Sequence, residues 1–371
     1  MKRLWLFILL SAILIPLGAG AANIEPLDIG AKAPDFKLPG VDGKTYTLSD
    51  FSNKDVLVIV FTCNHCPTAQ AYEERLNQLY EDYEDKSVAI VAVSPNDPKA
   101  VRLDELGYTE FNDTLEEMKL RAKDRGFKFP YLYDGDTQKM SKAYGPRTTP
   151  HVFIFDSERK LRFRGRIDDQ ERIHKGPPEH RDTRNAVDAL LAGEPVPVKT
   201  TRTYGCSIKW ADKRPSVKEA FERWAKEPVD VKPIDEEGVK ELIANEEENY
   251  LLINVWATWC GPCVAEFPEF VTINRMYRKR PFEMISINTD DPSSAGKVLE
   301  FLKDHEASFT NYQFKGNIYN LFEILDPKSS GAIPLTVFMK PGGEILYRHE
   351  GMIDPLKLKK TIVEALGRYY K

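Results

Sequence analysis

The feature that most constrains this chain is a unit that occurs twice: an apolar run, two cysteines with two residues between them, and a helical pattern. In the first copy, residues 55–62 precede a Cys-Asn-His-Cys motif at 63–66; in the second, residues 251–256 precede Cys-Gly-Pro-Cys at 260–263. Short apolar runs indicate buried strands, and apolar residues spaced by three or four indicate a helix. A further apolar run follows each helix, which predicts two parallel βαβ units.

Two thiols at the start of a helix make a reactive dithiol. A thiolate at that position faces unpaired backbone N–H groups and the positive end of the helix dipole, so the thiol pKa falls. We therefore predict that Cys260 attacks a substrate disulfide and that Cys263, one turn further on, resolves the mixed disulfide. The same reasoning makes Cys63 the attacking thiol and Cys66 the resolving thiol of the first copy.

Each copy ends with an X-Pro step, Thr149-Pro150 or Ile333-Pro334, followed by a hairpin pattern and a final helix. This order of elements, with the two CxxC motifs, resembles the thioredoxin superfamily over nearly the whole chain after its N-terminus. The resemblance implies an α/β fold class: two thioredoxin-like folds in tandem, each a central mixed β-sheet flanked by helices. It also implies that both X-Pro bonds are cis and that Thr149, Pro150, Ile333 and Pro334 form edges on which substrate backbone docks.

The second motif and its flanks, from Trp259 to Pro268, resemble the WCxPCxxExP pattern of TlpA-like oxidoreductases, which reduce apocytochrome c and similar exported substrates. Trp259 is then expected to contact substrate. Glu266 is predicted to be a shielded carboxylate that accepts the proton of Cys263. The alternative is an ordinary acid on the helix surface.

The first domain opens with a stretch at 30–38 that resembles the entry segment of peroxiredoxin-like (AhpC/TSA-type) redoxins. Its dithiol departs from the second, because Thr62 and Ala69 replace the tryptophan and the glutamate. His65 resembles the histidine of disulfide-forming CxHC sites, where it stabilises the thiolate and makes the disulfide more oxidising. The alternative is a loop residue on the surface.

The remaining sequence signals lie outside the two motifs. The fifth cysteine, Cys206, is predicted to fold back as a third thiol near the first dithiol, with a buried small hydrophobe as the alternative. Asn112 to Thr114 are predicted to cap a helix that ends near Gly126. His151, which follows an X-Pro step, has a modest role at most.

The N-terminus has the pattern of a secretory signal peptide: Lys2 and Arg3, an apolar run too short for a comfortable bilayer span, and a small-residue end. An uncleaved membrane anchor is the alternative. The predicted organisation is a signal peptide at 1–22, a peroxiredoxin-like domain at 23–200, a linker with a short helix at 201–233 and a TlpA-like domain at 234–371. The net charge of −5 does not suggest nucleic-acid binding.

These observations predict a periplasmic or otherwise extracytoplasmic thiol-disulfide oxidoreductase, reducing at the second site and more oxidising at the first. The expected partners are exported protein thiols or disulfides, a membrane electron donor for the second site, and the other domain through intramolecular exchange. No cofactor or metal is expected beyond the redox-active disulfides Cys63–Cys66 and Cys260–Cys263. Two alternatives stay open: a thiol peroxidase in the first domain regenerated by the second, and a Cu(I)-binding carrier, since thiolates and histidine suit that ion.

Overall fold

The structure is a computed structural model that describes residues 24–170, 177–245 and 248–370. The predicted signal peptide at 1–22 lies outside these residues. In the part of the chain that the structure describes, no helix combines the length and the apolar character that crossing a membrane requires.

The first domain is an α/β unit. Its strands and helices, in chain order, are β1 (Lys37–Pro39), β2 (Thr45–Thr47), β3 (Val56–Phe61), α1 (Pro67–Ala71), α2 (Glu73–Tyr83), β4 (Val88–Ser94), α3 (Leu115–Arg125), β5 (Tyr131–Tyr133), α4 (Lys139–Tyr144), β6 (Thr148–Thr149), β7 (His151–Phe155), β8 (Leu161–Gly165), α5 (Asp182–Leu191) and β9 (Cys206–Ser207).

The central sheet of this domain has the order β5-β4-β3-β7-β8, with the first three strands parallel and β7 and β8 antiparallel. Every residue of β3 is buried, because apolar side chains pack against both faces. Val58 and its neighbours on one face contact α2, α3 and α5. Ile59 and its neighbours on the other face contact α4 and the N-terminal segment. A sheet covered on both faces explains why β3 is a continuous apolar run.

A connecting helix leads to the second domain. The elements from there to the C-terminus are α6 (Arg214–Trp224), β10 (Lys232–Ile234), α7 (Glu236–Ala244), β11 (Tyr250–Trp256), α8 (Gly261–Tyr277), β12 (Phe282–Asn288), α9 (Ala295–Asp304), β13 (Thr310–Phe314), α10 (Ile318–Leu325), β14 (Leu335–Met339), β15 (Ile345–Glu350) and α11 (Pro355–Leu366).

The second sheet repeats the first with one more strand. Its order is β10-β13-β12-β11-β14-β15, parallel from β10 to β11 and antiparallel at β14 and β15. Leu252 in the central strand packs towards α8 and α11, whereas Ile253 packs towards α7 and α10. Both domains are therefore mixed sheets flanked by helices, and the predicted fold class of two thioredoxin-like folds is confirmed.

The structure places the domain boundaries differently from the sequence interpretation. Part of the predicted linker belongs to the first domain, because β9 pairs with β6 and the Thr201 N–H donates to the Arg164 carbonyl. The predicted linker helix is α6, and the second sheet begins at β10. The predicted helix of the first-domain insertion is α3: the Thr114 side chain caps it, and Gly126 ends it in the left-handed conformation with φ of +60°.

The insertion of the first domain packs on the second domain. Val101 and Leu106 join an apolar cluster with residues of α8 and α11. A buried ion pair joins Glu110 to Arg368, whose two nitrogens lie 2.5 and 2.9 Å from the carboxylate oxygens. The Tyr277 hydroxyl donates to the Thr109 carbonyl at 2.9 Å. This interface could not be predicted from the sequence, because each residue that forms it has no distinctive pattern in its own segment.

Candidate active sites: two dithiols

The second dithiol lies where β11 ends and α8 begins. Cys260 is the N-terminal cap of α8, and its sulfur accepts a hydrogen bond from the Cys263 N–H at 3.3 Å. The two cysteines form a disulfide. The turn before them is held by Asp290, whose carboxylate accepts hydrogen bonds from the Thr258 backbone and hydroxyl, both at 2.8 Å. The strand, turn and helix predicted from sequence thus place both sulfurs at the helix N-terminus.

The surroundings of this dithiol are open to solvent. Trp259 is 69% exposed, and Gly261 and Pro262 are exposed beside it. The Ile333-Pro334 bond is cis, and the Ile333 side chain packs against the cluster that contains both cysteines. Among the described residues no strand pairs with Ile333. The backbone edge at Ile333 is therefore unpaired next to the disulfide among the described residues.

Glu266 is buried, so its alternative interpretation as a surface acid is wrong. It is 3% exposed, and its carboxylate accepts hydrogen bonds from the Ile353 N–H at 2.8 Å and the Asn254 amide at 3.4 Å. Burial raises the pKa of Glu266 to about 7, although both hydrogen bonds oppose the rise. Such a carboxyl group exchanges protons near neutral pH, which is what a proton acceptor for Cys263 requires.

The first dithiol is also at the end of a central strand, but it is enclosed. Cys63 and Cys66 are free thiols. The cysteines are buried in both sites, at 3% and 0% exposed here and at 6% and 1% for Cys260 and Cys263. The difference lies in the turn between them, since Asn64 and His65 are each 1% exposed whereas Gly261 and Pro262 are exposed. The Cys63 sulfur lies 3.1 Å from the Thr149 hydroxyl, and the Cys66 sulfur lies 3.2 Å from the Thr149 carbonyl oxygen. The Thr149-Pro150 bond is cis, so both X-Pro steps have the geometry that the resemblance implied.

His65 is part of a buried polar network rather than a surface loop. It is 1% exposed, and its Nδ1 lies 2.6 Å from Asp113 Oδ2. Asp113 also accepts hydrogen bonds from the backbone N–H groups of Asn64 and His65 and from the Asn96 amide. Burial alone would lower the pKa of His65, but the Asp113 carboxylate outweighs burial and raises it. The imidazole is therefore held towards its charged form.

Asp113 is the functional residue that the sequence interpretation missed. We expected the segment 112–114 to cap α3, and Thr114 does so. Asp113 instead contacts the dithiol turn from a distant point in the chain. Cys63, His65 and Asp113 offer atoms within 4.8 Å of one another, which is the spacing of a metal site. The Asp113 oxygens already accept hydrogen bonds from four donors, however. Asp113 and His65 therefore form a hydrogen-bond network.

The thiol that favours its charged form in the first site is Cys66, not Cys63. Burial raises the pKa of Cys63, and its hydrogen bond to Cys66 and the Asp113 charge raise it further. Burial would also raise the pKa of Cys66, but hydrogen bonds from the Cys206 and Cys63 thiols and the nearby His65 charge lower it well below its usual value. The roles predicted from sequence, with Cys63 attacking and Cys66 resolving, stay predictions, and these pKa directions favour Cys66 as the thiolate.

Cys206 lies against the first dithiol, as the third-thiol prediction required. Its N–H donates to the Cys66 sulfur at 3.3 Å, and its side chain packs against the cluster of Cys63, Cys66 and Ala69. It reaches this position because β9 pairs antiparallel with β6, with Cys206 opposite Thr149. The edge predicted to dock substrate is therefore occupied by the chain itself.

His151 has no catalytic geometry in this structure. It is buried in β7, and its Nδ1 accepts a hydrogen bond from the Arg147 N–H at 3.2 Å. Burial and the charges of Arg164 and Arg147 lower the pKa of His151 to about 3. The imidazole is neutral at physiological pH, which agrees with the limited role expected from the sequence.

Comparison with known proteins identifies relatives of parts of the chain. A thiol-disulfide oxidoreductase ResA from Oceanobacillus iheyensis is 30% identical over 96 residues, which cover 26% of this chain and 46% of the relative. A ResA from Geobacillus thermodenitrificans is 28% identical over 136 residues, which cover 36% of this chain and 67% of the relative. The chain thus spans about half of the length of the first relative and two thirds of the second. These names agree with the oxidoreductase class predicted from sequence.

One solved structure covers about half of the chain. The crystal structure of an uncharacterised conserved protein from Geobacillus kaustophilus is 41% identical, covers 49% of this chain and 92% of its own, and has a TM-score of 0.45. The sequence profile of the AhpC/TSA family matches residues 29–164 and again residues 229–348, one stretch in each domain. With well over half of its length matched in this way, the chain belongs to the AhpC/TSA family.

Proposed function

We propose that this protein is an extracytoplasmic thiol-disulfide oxidoreductase whose second dithiol reduces disulfides of exported proteins in the manner of TlpA-like enzymes. The observation that supports this most is the geometry of the second site. A redox-active cysteine pair caps α8, Glu266 is buried one turn further along the helix, and the docking edge at Ile333 is free.

The proposed reaction at this site is dithiol-disulfide exchange. In the reduced protein, the Cys260 thiolate attacks a substrate sulfur, the substrate S–S bond breaks, and the first substrate thiolate leaves. Cys263 gives its proton to Glu266 and attacks the Cys260 sulfur. The second substrate thiolate then leaves, takes up a proton, and the Cys260–Cys263 disulfide is formed. One protein dithiol is oxidised for each substrate disulfide reduced.

Insulin reduction by the full-length chain tests this proposal. Cys260→Ser removes the nucleophile, so we expect at least a 100-fold loss of the rate. Cys263→Ser is the matched variant: it loses turnover too, but it retains the first attack and accumulates a mixed disulfide with the substrate. Equal insulin reduction by the Cys260→Ser chain and the unaltered chain would overturn the proposal.

We propose that the first site is the more oxidising of the two, because His65 and two thiols stabilise the Cys66 thiolate and a stabilised thiolate favours the reduced form. Direct transfer between the sites is disfavoured by α8. Cys260 caps its N-terminus, whereas Met276 near its C-terminus borders the first site, and 16 residues of helix span about 24 Å. Exchange between the domains would require their interface to open or a separate carrier.

Measuring the reduction potential of each dithiol separately tests which site is the more oxidising. Each site is titrated in a full-length chain in which serines replace the cysteines of the other. We expect the higher reduction potential at the first site. A first site at or below the potential of the second would contradict the assignment.

The N-terminal signal pattern is the basis of the location and the partners that we propose for this protein. The mature protein acts outside the cytoplasm on exported protein thiols or disulfides, and a membrane protein reduces the second site. Trapping with Cys263→Ser in the export compartment identifies these partners as mixed disulfides. The N-terminal sequence of the purified protein distinguishes signal cleavage from an uncleaved anchor.

A thiol peroxidase activity of the first domain is the second candidate. The lowered pKa of Cys66 favours it, since a stabilised thiolate is the reactive form of a thiol. The expected result is peroxide consumption that is lost in Cys66→Ser.

The Cu(I)-carrier alternative is tested on the same full-length protein. Stoichiometric Cu(I) binding without insulin reduction would favour a carrier over both enzymes.

A further inference from the structure

The first domain holds a segment of its own chain where the sequence predicts a substrate. A thioredoxin-like docking edge binds an extended backbone beside the X-Pro step, and at Thr149 this place is taken by β9. The approach is close: a Cβ added to Gly205, whose φ is +133°, would lie 1.9 Å from the Thr149 carbonyl oxygen. An external polypeptide strand cannot pair with Thr149 while β9 is there.

The cysteine of this segment is in register with the dithiol. Side chains alternate between the two faces of a strand, and in β9 the Cys206 side chain contacts Cys66 whereas Ser207 is exposed. The Cys206 N–H also donates to the Cys66 sulfur. Cys206 is partly exposed, whereas Cys63 and Cys66 are buried. Among the three thiols, Cys206 is the one that an external reagent reaches.

A cavity of about 350 Å³ adjoins this thiol, a size that suits a small molecule. Cys206, His65 and Lys209 line it from the first domain, and Arg280 and Tyr370 line it from the second. The Nε2 atom of His65 is buried and has no hydrogen-bond partner among the described residues.

We propose that Cys206 is the exchange thiol of the first site: it forms a disulfide with Cys66, and low-molecular-weight thiols in the adjoining cavity react with that disulfide at the Cys206 sulfur. This inference rests on the proposed thiol-disulfide exchange function. The docking edge filled by β9 excludes a protein strand, the cavity admits a small thiol, and Cys206 is the sulfur that meets it.

The Cys66–Cys206 disulfide forms by the reverse of the exchange that follows, in which a small-molecule disulfide is the oxidant and is reduced to two thiols. The thiolate of a small thiol attacks the Cys206 sulfur, the Cys66–Cys206 bond breaks, and Cys66 leaves as a thiolate. A second molecule of the small thiol then attacks the sulfur of the first small thiol in the mixed disulfide. The Cys206 thiolate leaves and takes up a proton. Two small thiols are oxidised to one disulfide while the protein disulfide is reduced. Cys66 is the better leaving group because its thiolate is stabilised, so attack at Cys206 is the favoured direction.

Disulfide mapping of the full-length chain tests this inference, with Cys260 and Cys263 replaced by serine to silence the second site. The chain, with and without Cys63→Ser, is equilibrated with a mixture of reduced and oxidised glutathione, quenched in acid and mapped without reduction. We expect the Cys66–Cys206 disulfide as the main oxidised form of the Cys63→Ser chain, and any bound glutathione on Cys206.

The matched control moves the thiol by one residue, as Cys206→Ser with Ser207→Cys in the Cys63→Ser chain. Residue 207 faces the other side of β9, so we expect glutathione adducts and at least a tenfold loss of the internal disulfide. Glutathione bound at Cys66 with Cys206 free would overturn the inference, as would absence of the Cys66–Cys206 disulfide both with and without Cys63. Insulin reduction by the unaltered chain tests the proposed function separately, because that reaction depends on Cys260.

Discussion

The two dithiol sites have the same backbone frame and different surroundings. Each begins where a central strand ends, and each lies against a cis X-Pro bond. Around the second, Trp259 is 69% exposed and the edge at Ile333 is free; around the first, Asn64 and His65 are each 1% exposed and β9 covers Thr149. The shared backbone frame of strand, turn, helix and cis X-Pro bond supplies the reactivity of the dithiol. The segments added to this frame decide which molecules reach the sulfur.

The added segments come from two places. The insertion before α3 contributes Asp113, which holds His65 in the first site. The segment after α5 contributes β9 and Cys206. The corresponding element of the second site is Glu266 on α8 itself, a single buried carboxyl group within the basic fold. The first site is thus built from distant parts of the chain, and the second is built locally.

The largest expected effect comes from a substitution at the interface between the two domains. Arg368→Ala leaves the buried Glu110 carboxylate without its partner, and removal of one member of a buried ion pair costs about 3–5 kcal/mol. We expect a loss of this size in the free energy of unfolding, measured by urea denaturation. Lys360→Ala is the matched control, since its pair with Asp124 is partly exposed and worth at most about 1 kcal/mol. Equal losses in the two variants would contradict the described interface.

Replacement of the buried acid sharpens the contrast at the second site. Glu266→Gln is expected to lower the rate of insulin reduction by about 100-fold, the lower range for loss of a general base. In the unaltered protein this rate should rise as pH increases through about 7, where Glu266 loses its proton. Glu266→Gln should abolish that rise. A variant that keeps the same pH profile would exclude Glu266 as the proton acceptor.

The same group has a signature in stability. The pKa of Glu266 is raised from 4.5 in its ordinary state to about 7 in the folded protein, so the folded state binds the proton more tightly than the unfolded state. Stability should therefore fall as pH rises from about 4.5 to about 7, by about 3 kcal/mol in total. Urea denaturation across this range, compared with Glu266→Gln, measures the difference. No difference between the two profiles would show that the carboxyl group is solvated.

A smaller change should open the first site. Gly205→Ala places a methyl group against the Thr149 carbonyl, and overpacking costs about 1–3 kcal/mol. We expect β9 to be displaced and Cys66 to react about tenfold faster with a maleimide. Gly193→Ala is the control, because its φ is also positive but no atom lies within 4 Å of the added Cβ. Equal acceleration in both variants would mean that β9 does not protect the dithiol.

The smallest effect is expected from Asp113→Asn. Without the carboxylate, the pKa of His65 falls, and the neutral imidazole no longer favours the Cys66 thiolate. We expect the pKa of Cys66 to rise towards its usual value, because the His65 charge is one of the causes that lower it. Ultraviolet absorbance of the thiolate across pH measures it, with Asp136→Asn as a control at a carboxylate that accepts from Tyr133. An unchanged titration would show that Asp113 does not act through His65.

The local units of the fold could be predicted from the sequence, because each is encoded within a short segment. The strand at 56–61, the cap at Thr114 and the helix that begins at Gly261 all have their own periodicity or end signals. The cysteines and the X-Pro steps were found for the same reason. The assembly of these elements into two thioredoxin-like folds was predicted from the resemblance to the thioredoxin superfamily and not from physical chemistry alone.

What could not be predicted depends on contacts between distant segments. Asp113 looked like part of a helix cap, and its contact with His65 exists only once α3 is placed. The Cys206 N–H donates to the Cys66 sulfur from a distant segment, and helix geometry at the dithiol gives no sign of this contact. The pairing of β9 with β6 involves two residues on each strand, too few for a pattern in the sequence.

The most direct test of the comparison is the size selectivity of thiol alkylation in the fully reduced, unaltered chain. Each cysteine is followed by mass spectrometry during reaction with N-ethylmaleimide and with a maleimide that has a long polyethylene glycol chain, and the ratio of the two rates cancels the effect of each thiol's pKa. We predict at least a tenfold greater discrimination against the large reagent at Cys63 and Cys66 than at Cys260, because Cys260 lies beside an exposed turn although it is itself 6% exposed. Equal ratios at Cys260 and Cys66 would contradict the account of one open and one covered site.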